Sequence, residues 1–215
     1  MKVIEGIEVL TSLEELVDPR HTAVMCIDMQ NEIASDRGPL GARVAPVRAI
    51  IPNIQRLLDA GRRAGALVAY AEFIHRNRDG VSLLDGPELW PHRDQPSISL
   101  MQEGSWEAQT IDELAPRAGD LVILKSRGTA FCGTLLDAHL GARGIRSIIL
   151  TGTATSGCVF ATWIDARTHG YYPVLVTDAV AEAGGGRHEI ALEWMGGSAP
   201  SATTEEVIHL WAGQE

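Results

Sequence analysis

The sequence predicts a doubly wound α/β domain, in which a parallel sheet is covered on both faces by helices to give three layers. Three observations carry this. Short apolar runs rich in β-branched residues alternate with longer segments of helical periodicity. The runs are apolar throughout rather than alternating, as strands covered on both faces require. The helical segments end at glycine, the usual C-terminal stop. With 215 residues and 45% hydrophobic side chains the chain can fill one core, and residues 1–215 are read as a single domain.

In chain order, TAVMCIDM (22–29), ALVAYAEF (66–73), LVILK (121–125), SIILTG (147–152) and PVLVTD (173–178) read as buried strands. Between them, APVRAIIPNIQRLLDAGRRAG (45–65), FCGTLLDAHLGARG (131–144) and CVFATWIDARTHG (158–170) place apolar residues at helical spacing. Residues 76–116 contain RNRDG, GPELWPHRDQP and QEGSW and read as a long irregular excursion over one face, the kind of segment that tends to carry function. AVAEAGGGRHE leads into a helix from about 187 to 196, and TTEEVIHLWAG predicts a last helix capped by Thr203 or Thr204, with glutamate at its start.

Bulk properties narrow the function. A formal charge of -10 argues against nucleic acid, whose phosphates demand clustered Lys and Arg. There is no basic amphipathic helix for a membrane surface, and no run approaches the roughly 18 apolar residues of a span, so a cytoplasmic location is expected. Cys26, Cys132 and Cys158 are odd in number and far apart, which suits a reducing compartment. Without a CxxC or Cys/His cluster no structural zinc is predicted. Cys26 and Cys132 read as core or near-core residues.

The stretch TGTATSGCVFATW (151–163) runs from the end of a strand through small residues into a helix. It places the Cys158 thiol near a helix N-terminus, where unpaired N–H groups and the helix dipole favour a thiolate. It also lies at the carboxyl end of a parallel strand, where open α/β sheets gather their sites. Spacing alone fits an inert buried thiol equally well. Two further strands end in charges: Asp28 after VMCI and Lys125 after LVIL. Either ion buried alone would be costly, so each requires a partner. With the first strand central, Asp28, Lys125 and Cys158 converge as proton acceptor, orienting cation and nucleophile. A structural Asp–Lys ion pair beside a silent thiol is the alternative.

AVMCIDMQNEI, the stretch from GDLVILKSRGTAF to PVLVTDAV, and RHE resemble the isochorismatase-like cysteine hydrolases, relatives of nicotinamidase and N-carbamoylsarcosine amidase, from about residue 20 to the C-terminus. The family's Asp in DMQN falls on Asp28, its Lys in KSRxxAF on Lys125 and its nucleophile in TSGCV on Cys158. The resemblance implies a Rossmann-like α/β/α fold with a six-stranded parallel sheet, frequent oligomers (a dimer or tetramer), and no cofactor. It also implies a cis peptide at Thr153–Ala154, with the N–H groups of Ala154 and Cys158 turned toward a developing oxyanion. Gln30, His75, Trp90, Trp106, Phe131 and Thr155 are the candidates for the substrate pocket.

Departures from the family sharpen the reading. Isochorismatase itself cleaves a vinyl ether and lacks the cysteine, so Cys158 argues against that activity. Nicotinamidases bind a metal through an Asp and two histidines, whereas AEFIHRNRDG offers His75 alone, so no metal is expected. Ala183 stands where related amidases hold a substrate carboxylate with arginine. Arg187, or Arg76 or Arg78 from HRNRDG, would have to replace it. GTATSG lacks the Lys–Ser/Thr of a phosphate loop, and Ile164 replaces the arginine that a C-x5-R phosphatase needs. The chain therefore reads as a hydrolase of a small amide, carbamoyl or lactam compound, acting on a small molecule without cofactor. A silent binding or scaffold protein of the same fold and a vinyl-ether hydrolase are the alternatives.

Overall fold

The computed structural model describes residues 2–75, 101–184 and 186–213. Its strands are β1 (Lys2–Ile4), β2 (Ile7–Val9), β3 (Thr22–Ile27), β4 (Leu67–Phe73), β5 (Leu121–Lys125), β6 (Ser147–Thr153), β7 (Tyr172–Ala181) and β8 (Ser201–Ala202). Its α-helices are α1 (Leu13–Leu16), α2 (Asn31–Ala34), α3 (Ala45–Ala49), α4 (Ile51–Ala64), α5 (Leu136–Gly141), α6 (Phe160–Thr168), α7 (Arg187–Gly196) and α8 (Thr204–Ala212). Strands β3 to β8 form a six-stranded sheet in the order β5-β4-β3-β6-β7-β8, parallel throughout. From β3 the chain builds outward through β4 and β5, then returns to build β6, β7 and β8 on the other side. The switch point lies between β3 and β6, so a crevice opens at their carboxyl ends.

Unbroken apolarity in the central strands follows from burial on both faces. Val24 and Cys26 of β3 enter one core with Ile54, Leu57 and Leu58 of α4 and Val207 and Trp211 of α8. Ala23, Met25 and Ile27 enter the other, with Leu136 and Leu140 of α5, Trp163 of α6 and Met195 of α7. Burying each large apolar side chain contributes about 1.5–3 kcal/mol over leaving it in water. Local chemistry sets the helix ends. Gly65 closes α4 in the left-handed region at φ 82°, and Thr203 and Glu206 form a reciprocal capping box at the start of α8. Trp211 Nε1 donates to the Val17 carbonyl at 2.6 Å and ties α8 to the turn before β3.

The elements differ from expectation where a local constraint interrupts periodicity. The helix expected over 45–65 is two, because Pro52 lacks the N–H that a continuous ladder needs and sits instead in the first turn of α4. The helix expected over 131–144 is only α5. The Thr134 hydroxyl donates to the Ala130 carbonyl and accepts from the Leu136 N–H, making a turn of the residues before it. The helix expected from 158 starts as α6 at Phe160, after one π-type turn over Thr155–Val159. Strand β8 and the β1–β2 hairpin, which turns at Glu5 and Gly6, are additional to the five strands read from periodicity.

Gly152 in β6 is required by a close approach. Its φ is +105°, and a Cβ there would stand 2.1 Å from the Ile27 carbonyl oxygen of β3. No side chain fits between these two backbones.

Candidate active site

Asp28 follows the last residue of β3, Lys125 is the last of β5, and Cys158 lies in the turn after β6, so all three meet at the carboxyl end of the sheet. Strand β4 lies between β3 and β5. The lysine bridges it by crossing the Phe73 ring, with Nζ 4.8 Å from the ring centroid, to reach Asp28 Oδ2 at 2.9 Å. Its other donors go to the carbonyls of Arg127 and Gly128 at 3.2 and 3.3 Å, so a fully buried ammonium spends all three protons on acceptors. Asp28 is itself buried and adopts the left-handed backbone region at φ 52°, with its N–H bonded to the Ala71 carbonyl.

The carboxylate is satisfied unequally. Oδ2 holds the ammonium, while Oδ1, although buried, has no hydrogen-bond partner of good geometry. The Cys158 thiol lies within reach of both Asp28 and Lys125. Burial raises the Asp28 carboxyl above its ordinary range, against the pull of Lys125. Burial alone would lower Lys125, but the charges of Asp28 and Cys158 outweigh it and the ammonium is held more firmly than usual. The thiol is pushed up to about 12, first by burial and then by the Asp28 charge, with Lys125 opposing. The loss of hydration thus opposes the thiolate that a helix N-terminus would favour. A carboxylate able to take the thiol's proton lies within reach.

The nucleophile turn is held from outside. The Thr153–Ala154 peptide is cis. The Ser156 N–H donates to Glu182 Oε2 at 3.1 Å, and the Thr155 hydroxyl meets His188 Nδ1 at 2.8 Å. Sequence reasoning gave neither Glu182 nor His188 a role. The RHE motif was the available signal for His188.

The pocket candidates separate. Gln30 is a structural clamp rather than a substrate contact: it is fully buried, Nε2 donates to the Phe73 and Ala108 carbonyls at 2.8 and 2.6 Å, and Oε1 accepts from the Phe73 N–H. With Asn31, whose Nδ2 donates to the Trp106 carbonyl, it straps residues 106–110 across the ends of β3 and β4. Thr155 is also fully buried, its hydroxyl committed to His188. Phe131 packs in the core, stacked on His169 at 4.7 Å. Trp106 lies under the Arg37 guanidinium, 4.6 Å from its centroid. His75 is half-buried, edge-on to Phe73. Trp90, Arg76 and Arg78 lie outside the described residues. Cys26 is core as expected, but Cys132 is exposed, because the turn at 131–135 carries it off any helix face. Among the described residues, no group of three or more His, Cys, Asp or Glu is arranged to hold a metal ion, and no helix is long and apolar enough to cross a membrane.

The site at the switch point of this parallel α/β/α fold is thus a buried carboxylate and ammonium with a half-buried thiol, and comparison with known proteins places that fold among hydrolases. The isochorismatase domain matches residues 22–206, and the chain belongs to the isochorismatase family of hydrolases. Its structure is similar to that of a cysteine hydrolase from Pseudomonas syringae pv. phaseolicola 1448A, at 29% identity and a TM-score of 0.77, over 92% of this chain and 95% of that one. It is also similar to N-carbamoylsarcosine amidase from Thermoplasma acidophilum, at 27% and 0.70, over 86% and 96%. A third likeness is to nicotinamidase from Bacillus subtilis, at 27% and 0.69, over 85% and 99%.

Proposed function

We propose that the chain is a cysteine-dependent amidohydrolase that cleaves a C–N bond of a small amide, carbamoyl or lactam compound through a thioester. The observation that carries this is the Asp28 carboxylate within reach of the Cys158 thiol, with Oδ2 fixed by Lys125 and Oδ1 without a hydrogen-bond partner of good geometry. A purely structural ion pair has no use for an orphaned buried acceptor, which costs stability. A proton acceptor for the nucleophile requires one.

Asp28 Oδ1 takes the thiol proton as Sγ bonds to the substrate carbonyl carbon, and the carbonyl π electrons move onto oxygen. The N–H groups of Ala154 and Cys158 are assigned as donors to that oxyanion. Collapse of the tetrahedral intermediate breaks the C–N bond, and Asp28 returns the proton to the departing nitrogen. A water that gives its proton to the same carboxylate then cleaves the thioester. The acid product leaves and the thiol is reprotonated. Lys125 keeps Asp28 oriented and ionised throughout.

The absence of an arginine at position 183 favours a neutral substrate, because an anion would approach a chain of net charge -10 without a bidentate partner. Arg187 lines a groove with Phe160 and Trp194. The test is ammonia release from matched neutral and acidic amides and ureides. Neutral compounds should show the higher kcat/KM, and Cys158→Ala should abolish turnover while leaving the far-ultraviolet circular dichroism unchanged. Ammonia release that survives Cys158→Ala would mean that the thiol is not the nucleophile; no ammonia from any amide with the wild-type chain, but hydrolysis of a vinyl ether, points to the vinyl-ether type of chemistry, and turnover of neither points to a silent scaffold.

A further inference from the structure

The first N–H groups of a helical turn have no partner within it, and a side-chain oxygen on the preceding residue usually takes one of them. The π-type turn that carries Cys158 begins after Ala154, whose methyl group can accept nothing. Its Ser156 N–H is capped from a distance instead. It donates at 3.1 Å to Oε2 of Glu182, 26 positions further along the chain and just past the end of β7. One residue earlier, the Thr155 hydroxyl meets Nδ1 of His188, in the first turn of α7, at 2.8 Å. Thr155 is fully buried, so this ring nitrogen stands where water cannot reach.

The two bonds grip the residues immediately before Gly157, whose φ of -112° and ψ of -108° lie outside the helical region. The ψ of Gly157 orients the peptide that carries the Cys158 N–H, one of the two donors assigned to the oxyanion. On the other side the turn runs directly into α6 at Phe160, which stacks on Trp163. With both flanks held, the N–H and the thiol of Cys158 keep one direction relative to Asp28. With the leading flank released, Gly157 is free to turn, because a residue without Cβ meets few barriers. A capping Ser or Asp at position 154 would also satisfy the Ser156 N–H, but its oxygen would compete for the N–H groups assigned to the substrate oxygen. Support from β7 and α7 avoids that competition. We propose that Glu182 and His188 are positioning residues, which hold the turn so that the Cys158 N–H and thiol stay aimed at the reacting carbonyl without touching substrate themselves. This role presupposes the thioester reaction proposed above.

Paired substitutions in the full chain test it, each read by steady-state kinetics on the amides above and by hydrogen–deuterium exchange of the backbone over 154–160. Glu182→Ala should lower kcat at least about tenfold with KM within about twofold. Glu182→Gln still offers an oxygen to the Ser156 N–H and should keep kcat within about threefold. His188→Ala should behave like the first variant, and His188→Asn, which puts an amide at the place of Nδ1, like the second. Exchange over 154–160 should quicken at least about tenfold in both alanine variants and stay near the wild-type rate in the conservative pair. Alanine variants with wild-type kcat overturn the proposal. A rise in KM with kcat unchanged also overturns it, by making these groups substrate contacts, and so do equal losses in Glu182→Ala and Glu182→Gln. If the wild-type chain hydrolyses no amide, the reaction is misassigned and exchange alone decides the role: wild-type rates in the alanine variants overturn it, and faster rates that the conservative pair restores uphold it. Exchange in β3 and β4 reports whether each variant keeps its fold.

Discussion

The two ends of the sheet each hold a carboxylate gripped by a cation, and they differ in how fully the grip is closed. At the amino end, beside a groove of about 520 Å³, Asp120 Oδ1 accepts from Arg62 Nε, and Oδ2 accepts from Arg62 Nη2 and the Arg117 N–H. The arginine's remaining donors go to Asp59 and the Tyr70 hydroxyl. At the carboxyl end, Lys125 closes one oxygen of Asp28, the other has no partner of good geometry, and a thiol lies within reach of the carboxylate. The amino-end groove is roomy, yet both oxygens of its carboxylate are matched. Unspent hydrogen-bonding capacity in a buried carboxylate, rather than the size of the hollow, distinguishes a place of reaction from a joint.

The largest effect should come from filling that capacity. Asp28→Asn keeps the shape of the side chain but removes the proton acceptor, and kcat/KM should fall at least about 100-fold with the far-ultraviolet circular dichroism unchanged, although the melting temperature falls because Lys125 loses its counter-charge. Near-wild-type turnover would erase the distinction between the two ends. Next, the cations should part company. Lys125→Met strands a buried carboxylate and should cost about 3–5 kcal/mol in denaturant unfolding along with activity. Arg62→Met leaves Asp120 near solvent with one backbone donor and should cost about 1–3 kcal/mol with kcat/KM unchanged. Comparable losses of activity in both would make the amino end part of the machinery. The smallest effect is a displacement of the pH profile. Asp28 must be ionised to accept the thiol proton, and burial raises its pKa, so activity is present above that pKa and lost as pH falls through it. The acid limb of kcat/KM should therefore lie above the roughly 3.9 of an ordinary aspartate. A limb at or below that value would mean that Lys125 outweighs burial.

Charge at the end of an apolar run was the most legible signal in the sequence. Asp28 and Lys125 have no reason to follow VMCI and LVIL unless they meet, and the spacing of TSGCV after SIIL brings the thiol to the same edge. The longer central strands were legible because burial on both faces leaves long uniform runs, whereas LVILK, read as a buried strand, lies at the sheet edge as β5 with Val122 exposed. Strand β8, two residues long, and the three-residue strands of the hairpin carry too few side chains for any period to show. The roles of Gln30 and Thr155 were not legible either. Polar residues beside a catalytic motif suggest substrate contact, and only the fold reveals that their hydrogen bonds are spent on the Phe73 and Ala108 backbone and on His188. Cys132 misled for a related reason: helical spacing over 131–144 implied a buried face, and the Thr134 turn removed it.

The contact at Gly152 works like a feeler gauge. Asp28 comes one residue after Ile27, and the nucleophile turn begins within three residues of Gly152, so the separation of base and thiol is set where two main chains touch with nothing between them. Side chains can be exchanged and loops rebuilt around such a joint without altering its thickness, whereas even one methyl group at position 152 would force β3 and β6 apart. Substrate range can therefore drift through the loops over the sheet while the spacing of the reacting groups stays constant, which makes this glycine the position that a redesign of the pocket should leave alone.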